Sequence, residues 1–344
     1  METDMYPAVR LGRSGVEVSR VSFGAAGLGN LFAALSDDDA AQAIEAAWAL
    51  GIRYFDTAPH YGLGLSERRI GQALRNRPRS EFVVSTKVGR LLEPVNGSGG
   101  HVGLDTAGFA VPATHRRVWD FSANGIRRSI EASLSRLGLD RVDIVYLHDP
   151  DDHGESAFAD GYPELERLRT EGVVGAIGAG MNQATMLTRF VRDTDVDVVL
   201  LAGRYTLLDQ SGLAELLPEA VRRGTSVVAG GVFNSGLLAD PHAGARYDYS
   251  AVSDEVLARA LRIKAVCDRY DVPLRAVASR FPFGHPAVAS VLVGARTAAE
   301  VRDSAAMFAL PIPGGLWSDL KTEGLLGEDV PVPDTAQVTG SPCG

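Results

Sequence analysis

The chain has 344 residues, 45% of them hydrophobic, and a formal net charge of -9 at pH 7. This length and composition suffice for a large buried core, in one big domain or two medium ones. Acidic and basic residues are interspersed, which argues against a nucleic-acid or anionic-membrane partner. We expect a cytoplasmic protein, because the chain begins without a signal-peptide pattern and holds no apolar run of membrane-spanning length. Its two cysteines, Cys267 and Cys343, form neither a disulfide framework nor a metal-ligand pattern, so we expect no metal.

Short β-rich apolar runs alternate with amphipathic helical patterns along the chain. A small hairpin is predicted around Arg13 to Gly15. The predicted strands follow at 18–24, 52–57, 81–88, 142–148, 173–179, 196–202, 225–231 and 288–294. Strands that are almost entirely apolar and alternate with helices are typical of a parallel sheet covered by helices.

The predicted helices carry start and stop signals. Ser36 with Asp39 forms a capping box and Gly51 ends that helix, while Ser122 and Gly138 bracket another. Further helical patterns cover about 66–75, 163–170, 183–192, 213–223, 254–270 and 298–309.

Eight strand and helix units favour a closed (β/α)8 TIM barrel of the α/β class over an open sheet. The glycines of FGAAGLG, at 23–29, lack the GxGxxG spacing that an open dinucleotide-binding sheet needs. We predict a single domain over 1–344 with an irregular tail from about 325. Two long irregular segments, at about 89–121 and 237–253, follow strands, and we expect them over the face where barrels bind ligands.

Four polar residues stand at or just beyond the ends of predicted strands: Asp56, Tyr61, Lys87 and His148. Singly, they have ordinary explanations as a turn acid, a loop aromatic, half of a buried ion pair and a packed core histidine. Together they form an acid/base set, because a lysine cation stabilises the phenolate of a tyrosine whose free pKa is ~10. Asp56 would keep Lys87 charged, and His148 would direct a substrate oxygen to Tyr61.

The segments GIRYFDTAPHYGLGLSERRIG, VVSTKVG and VDIVYLHDPD resemble the signature regions of the aldo-keto reductase superfamily, and the resemblance extends from about residue 10 to about residue 310. It implies a (β/α)8 barrel, a nicotinamide cofactor lying across the strand ends, and hydride transfer with Tyr61 as the acid or base. It also carries the catalytic roles to Asp56, Tyr61, Lys87 and His148.

Within that superfamily, GMNQATMLTRF, AGRYTLLDQ and GGVFNSGLL resemble the branch of L-fucose and D-threo-aldose 1-dehydrogenases. The resemblance implies oxidation of the anomeric carbon of an aldose of the L-fucose, L-galactose or D-arabinose type to the lactone. The alternatives are a general aldehyde or ketone reductase, a pyridoxal dehydrogenase, and, from another class, an aldolase that forms a Schiff base on Lys87. In each case the expected partner is a small molecule, and the sequence predicts no particular oligomeric state.

The resemblance implies a cofactor site at Gly24, Ala25, Asn182, Phe233, Ser235, Gly236, Gly294, Arg296 and Glu300. Three positions depart from the superfamily pattern: Met181 and Ala202 stand where a Ser and a Gln commonly hold the carboxamide, and Gly230 stands where many members stack a ring on the nicotinamide. The choice between NAD and NADP stays open. Arg296 suits a 2'-phosphate, whereas Glu300 suits a free ribose hydroxyl.

The candidate sugar-binding residues lie in the loops. Trp119 is either a flat surface for a pyranose ring or a packing residue, with Arg204 and Tyr205 as candidates for binding sugar hydroxyls. His60, next to Tyr61, is a further candidate, or else a solvent-exposed loop histidine.

Overall fold

A computed structural model describes residues 6–95 and 103–334. Eight parallel strands in these ranges form a closed barrel. The strands are β1 Val21–Gly24, β2 Tyr54–Asp56, β3 Val83–Val88, β4 Ile144–His148, β5 Ala176–Met181, β6 Val198–Ala202, β7 Ser226–Gly230 and β8 Val288–Gly294. The barrel closes where β8 pairs with β1, with Gly294 opposite Gly24. The predicted (β/α)8 barrel is confirmed.

Helices surround the barrel. They are α1 Asp37–Ala49, α2 Leu65–Leu74, α3 Ala123–Leu137, α4 Tyr162–Thr170, α5 Ala184–Asp193, α6 Leu216–Arg223, α7 Asp254–Arg269, α8 Leu274–Arg280, α9 Ala298–Ala309 and α10 Gly314–Thr322. The predicted N-caps are present: Ser36 Oγ accepts a hydrogen bond from the Asp39 amide (3.0 Å), and Ser122 Oγ accepts one from the Gly125 amide (3.1 Å). The helices α8 and α10 were not predicted. α8 has only 7 residues and is mostly buried, so it lacks the polar face that makes a helix visible in a sequence.

The N-terminal end of the barrel is closed by hydrocarbon. The predicted hairpin is present as Ala8–Arg10 paired with Glu17–Ser19. At its turn, Leu11 is fully buried in the cluster that fills the barrel interior, and the Gly12 amide donates a 2.7 Å hydrogen bond to Ser226 Oγ of β7. The polar groups of the barrel interior are therefore reached from the other end, where the carboxyl ends of the strands lie.

The two segments predicted to be irregular contain short paired strands. After β3, Arg90–Pro94 pairs antiparallel with His115–Trp119; after β7, Arg246–Tyr247 pairs with Ser250–Ala251. Part of the first segment, 96–102, and the tail from 335 onward lie outside the described residues. No helix within 6–95 or 103–334 is long and apolar enough to cross a membrane.

A buried carboxylate joins three elements beside the barrel. Glu67 of α2 is fully buried and accepts hydrogen bonds from Thr86 Oγ1 of β3 (2.8 Å) and Arg136 Nε of α3 (2.5 Å). Removing one partner of such a pair leaves an uncompensated charge in the protein interior.

We predict that Glu67→Ala lowers the free energy of unfolding by about 3 kcal/mol, because Arg136 and Thr86 lose their common acceptor. The control is Glu45→Ala, which removes a carboxylate that is 54% exposed and paired with Arg77, and should cost less than about 1 kcal/mol. Denaturant unfolding of both variants measures the difference. Equal losses would contradict a special role for the buried carboxylate.

Candidate active site

The structure brings Asp56, Tyr61, Lys87 and His148 together at the carboxyl ends of β2, β3 and β4. Lys87 Nζ donates hydrogen bonds to Asp56 Oδ2 (2.6 Å) and to the Thr57 carbonyl oxygen (3.0 Å). The same nitrogen lies 4.8 Å from the centroid of the Tyr61 ring. The His148 ring stands perpendicular to the Tyr61 ring, with their centroids 5.9 Å apart. Lys87 and Asp56 are almost fully buried, whereas Tyr61 is half-buried.

The loop that carries Tyr61 is held against the loop after β1. Gly62 has a φ of 62°, and a Cβ atom at this position would lie 2.2 Å from the carbonyl oxygen of Gly29. A glycine is therefore required directly after Tyr61. On the other side of the loop, Ser66 Oγ donates a 2.7 Å hydrogen bond to the Ala25 carbonyl. These contacts fix the position of the backbone that carries the Tyr61 side chain.

The pKa values of the site residues differ from those of the free side chains. Burial by itself lowers the pKa of Lys87, but Asp56 and Tyr61 together raise it above its ordinary value, so Lys87 is an ammonium ion. Burial raises the pKa of Tyr61 to about 12, and the Lys87 cation acts in the opposite direction. Burial, then Arg90 and Lys87, lower the pKa of His148 far below its usual range, so its imidazole is neutral.

His60 is held in one tautomer by residues that the sequence analysis missed. Arg117 donates from Nε to His60 Nδ1 (2.5 Å), and its guanidinium is fixed by Asp105 at 2.7 and 2.9 Å. Because Nδ1 accepts, the ring proton resides on Nε2. Burial, then Arg90 and Arg117, lower the pKa of His60 to about 3, so the ring is a neutral donor. The only sequence signal for Arg117 and Asp105 is that both lie in the long segment after β3.

Trp119 is at the rim of the site and is not buried. It is 40% exposed, and its ring centroid lies 4.7 Å from that of His153. The guanidinium of Arg90, which is paired with Asp149, lies 4.4 Å from the centroid of the same ring. The packing explanation therefore fits Trp119 less well than an exposed aromatic surface.

The two candidate sugar-binding residues after β6 lie in different environments. Arg204 is salt-bridged to Asp248 at 2.7 Å, which ties the end of β6 to the small hairpin after β7. Tyr205 is 1% exposed, and its ring packs against Phe281 with a centroid separation of 5.0 Å. The side chain of Tyr205 is thus part of the core and does not face the site, so the proposed sugar site does not include it.

The residues predicted to bind the cofactor lie at or just beyond the strand ends, from β5 round through β8 to β1. Asn182 follows β5 and is exposed, and Gly294 is exposed at the end of β8 beside Gly24. Ala25 is fully buried, and its amide donates to the Asp56 carbonyl oxygen at 2.9 Å. In the loop after β7, Phe233 is half-buried, and Ser235 and Gly236 have φ values of 59° and 98°.

The amides of Asn234 and Gly236 in this loop donate to the carbonyl oxygens of Gly231 (2.9 Å) and Phe233 (3.1 Å), so the turn is held by its own backbone. At Gly236 a Cβ would meet nothing within 4 Å, so there is room for a ligand to approach the backbone closely.

At the last strand, Arg296 and Glu300 are already engaged with protein groups. The Arg296 guanidinium donates to the carbonyl oxygens of Ala33 (3.1 Å) and Ala34 (2.9 Å). Glu300 accepts a 2.7 Å hydrogen bond from the Arg296 amide and is itself exposed. Glu300 therefore presents an exposed carboxylate at this end of the site, on the same helix as the exposed Arg302.

An aromatic residue that the sequence analysis missed lies above the strand ends. Tyr249, in the turn of the hairpin after β7, has its ring centroid 6.4 Å from that of Phe32. Tyr249 is 54% exposed, and the side chain of Asn182 lies within hydrogen-bonding reach of its phenol. At Gly230, the position without a ring, a Cβ would lie 3.5 Å from Leu200 Cδ2. The hairpin after β7 thus brings an aromatic ring within reach of Asn182.

Comparison with known proteins shows the family of this chain. Residues 20–321 match the model of the aldo/keto reductase family. A D-threo-aldose 1-dehydrogenase of Pseudomonas sp is 51% identical over 311 residues, which cover 89% of this chain and 94% of that protein. A pyridoxal 4-dehydrogenase of Microbacterium luteolum is 39% identical, covering 92% of this chain and 97% of the other. An L-galactose dehydrogenase of Arabidopsis thaliana is 32% identical, with 86% of each covered.

Solved structures agree on the fold. The holo form of an aldo-keto reductase of Bacillus halodurans superposes with a TM-score of 0.71 at 24% identity, covering 92% of this chain and 96% of that one. A glycerol dehydrogenase of Gluconobacter oxydans also gives a TM-score of 0.71, at 23% identity and with 97% and 98% of the two chains covered. From the family match and the identity to its relatives, we conclude that the chain belongs to the aldo/keto reductase family and is an NAD(P)-dependent oxidoreductase.

Proposed function

We propose that the protein oxidises the anomeric carbon of an aldose to the lactone, with Tyr61 as the general base. The observation that carries this proposal is the Lys87 ammonium, bonded to Asp56 at 2.6 Å and 4.8 Å from the centroid of the Tyr61 ring. The 51% identity to a D-threo-aldose 1-dehydrogenase supports an aldose as the substrate class. When bound, NAD(P)+ would supply the hydride acceptor for this chemistry.

Each of the four residues has a distinct task in the proposed reaction. Tyr61 takes the proton of the anomeric hydroxyl group, and the Lys87 cation stabilises the phenolate that makes this possible. Asp56 holds Lys87 in position and keeps it charged. His148, whose pKa is lowered by burial and by neighbouring cations, stays neutral and donates a hydrogen bond to the sugar oxygen without competing for the proton.

The proposed sugar site is formed by the segment after β3 and the Tyr61 loop. The exposed face of Trp119 suits stacking on a pyranose ring. His60 offers its Nε2 hydrogen to a sugar oxygen, since Arg117 occupies Nδ1. Arg204 is further round the barrel and, through Asp248, holds the hairpin after β7 in position.

The state of Lys87 disfavours an aldolase. A Schiff base forms from a neutral amine, usually one whose charge is removed by desolvation. Here Asp56 and Tyr61 outweigh burial and raise the pKa of Lys87. The lysine therefore serves as a cation and not as a nucleophile.

We also propose that NAD is preferred over NADP. An exposed carboxylate at Glu300 repels a 2'-phosphate and accepts a hydrogen bond from a free ribose hydroxyl. The Arg296 guanidinium, the candidate phosphate partner, is instead bonded to the carbonyl oxygens of Ala33 and Ala34.

The Tyr61→Phe variant tests the proposed function. We expect it to lose at least about 1,000-fold in kcat for aldose oxidation while the cofactor dissociation constant changes less than about threefold, because the phenol acts on the proton only. Steady-state kinetics and cofactor fluorescence titration measure the two quantities. Tyr6→Phe, which removes a buried hydroxyl on the outer side of the barrel, is the control and should keep full activity.

A panel of L-fucose, L-galactose, D-arabinose, pyridoxal and small aldehydes, with both cofactors in both directions, identifies the substrate class. Turnover of aldehydes without turnover of any aldose, or full activity of Tyr61→Phe, would reject the proposal.

The oxidation should speed up with rising pH and show no inflection near pH 6.5. The phenolate of Tyr61 is the active form and burial raises its pKa to about 12, so the reactive fraction grows as the pH rises toward that value. Burial lowers the pKa of His60 to about 3, so this ring does not change charge in the working range. The pH profile of kcat/KM checks this. An inflection near pH 6.5 that disappears in His60→Asn would contradict it.

The cofactor preference is tested at Glu300. We expect the wild type to favour NAD, and Glu300→Gln to lower the KM for NADP+ by roughly tenfold, since one repulsive charge is removed. Asp303→Asn is the matched control, because it removes a carboxylate from the same helix that is bonded to Arg275. A wild type that prefers NADP+, or an equal effect of the two substitutions, would refute the role of Glu300.

A further inference from the structure

A layer of three hydroxyl groups lies directly beneath the four candidate catalytic residues. Tyr54 precedes Asp56 by two residues on β2, Ser85 precedes Lys87 by two on β3, and Tyr146 precedes His148 by two on β4. Because side chains alternate along a strand, residues two apart face the same side. All three hydroxyl-bearing side chains are fully buried.

The three hydroxyl groups are connected to the Asp56 carboxylate in a single line. Ser85 Oγ donates to Asp56 Oδ1 at 2.6 Å, and Tyr54 OH donates to Ser85 Oγ at 3.0 Å. Tyr146 OH lies 3.1 Å from Tyr54 OH. The other carboxylate oxygen of Asp56, Oδ2, is the one bonded to Lys87.

The direction of every hydrogen bond follows from the carboxylate. An ionised carboxylate only accepts, so Ser85 must give its hydrogen to Asp56. Ser85 Oγ then accepts from Tyr54, whose own hydrogen is used in that bond, and Tyr146 must donate to Tyr54. All three O–H dipoles point toward Asp56. Burial raises the pKa of both Tyr54 and Tyr146, so both stay protonated donors throughout the working range.

Such a line disperses the negative charge of Asp56 away from Tyr61. Hydrogen bonds in a chain polarise one another, and in a low-dielectric interior they strengthen the bond to the charged acceptor. The Asp56 charge opposes ionisation of Tyr61, and the Lys87 charge favours it. When the hydroxyl groups draw negative charge of Asp56 toward the barrel interior, Asp56 opposes the ionisation of Tyr61 less. The Lys87 cation then has a larger net effect in favour of the Tyr61 phenolate.

We propose that Tyr146, Tyr54 and Ser85 are positioning residues that orient Asp56 and, through Lys87, set the proton affinity of Tyr61. The inference rests on the proposed function of Tyr61 as the base. Packing alone does not require these hydroxyl groups, because Phe and Ala would fill the same layer without a polar group to satisfy.

The experiment compares Ser85→Ala, Tyr54→Phe and Tyr146→Phe by kcat, its pH profile, cofactor affinity and thermal stability. We expect kcat to fall by roughly tenfold, threefold and less than twofold in that order, because a hydrogen bond to a charged group is the strongest and the effect weakens along the line. The rise of kcat with pH should move to higher pH by about one unit in Ser85→Ala, as expected when a base loses about tenfold in ionisation. Ser85→Thr keeps the hydroxyl and should restore both values.

The matched control is Ser290→Ala on β8. Ser290 is also fully buried, but its hydroxyl donates to the Ser19 carbonyl oxygen at 2.8 Å and does not contact Asp56. This variant should lose stability without a shift of the pH profile. An unshifted profile in Ser85→Ala, or losses of kcat that follow thermal stability across all four variants, would overturn the inference.

The two proposals fail in different ways. If the wild type oxidises no aldose or Tyr61→Phe stays active, the proposed function fails. If the wild type is active and depends on Tyr61 while Ser85→Ala keeps the wild-type kcat and profile, only the hydroxyl chain is rejected.

Discussion

The buried ion pair of Lys87 and Asp56 is the constraint on which the site depends. Removing two charges from water is costly, and a pair of this kind persists only when its remaining hydrogen-bonding capacity is also satisfied. Here the Thr57 carbonyl oxygen accepts a further bond from Lys87, and Ser85 donates to the free oxygen of Asp56. The mouth of the barrel is organised around meeting these requirements.

The barrel interior is therefore arranged in layers. Charged and aromatic side chains form the layer at the carboxyl ends of the strands. A layer of hydroxyl groups, which includes Tyr54 and Tyr146, lies beneath it, and hydrocarbon around Leu11 closes the far end. The hydroxyl layer lies between the charged pair and the apolar end of the barrel, so the polarity of the interior falls gradually from one end to the other. At Gly178 of β5 the interior has no room for a side chain: a Cβ there would lie 1.7 Å from the carbonyl oxygen of Val198 and 3.4 Å from a ring carbon of Tyr146.

The connections after β3 and β7 complete the site from above. The segment after β3 supplies Arg117, which sets the tautomer of His60, and Trp119 at the rim. The hairpin after β7 supplies Tyr249 and is anchored to β6 by Arg204 and Asp248. The rigid strand ends thus carry the proposed proton chemistry, while the longer connections carry the groups proposed to recognise substrate and cofactor, a division of labour common in barrel enzymes.

The sequence alone determined the barrel and the four residues at its mouth. Few folds other than a closed barrel accommodate eight apolar strands that alternate with capped helices. A polar residue at the end of a buried strand stands out in the sequence, as Asp56, Lys87 and His148 do. Only the tertiary structure revealed the contacts between residues distant in the chain. Arg117 contacts His60 across 57 positions and Tyr146 reaches Tyr54 across 92, and no local pattern encodes either contact. Tyr205 was misassigned for the same reason, because whether a loop aromatic faces the site or the core depends on the helices packed behind it.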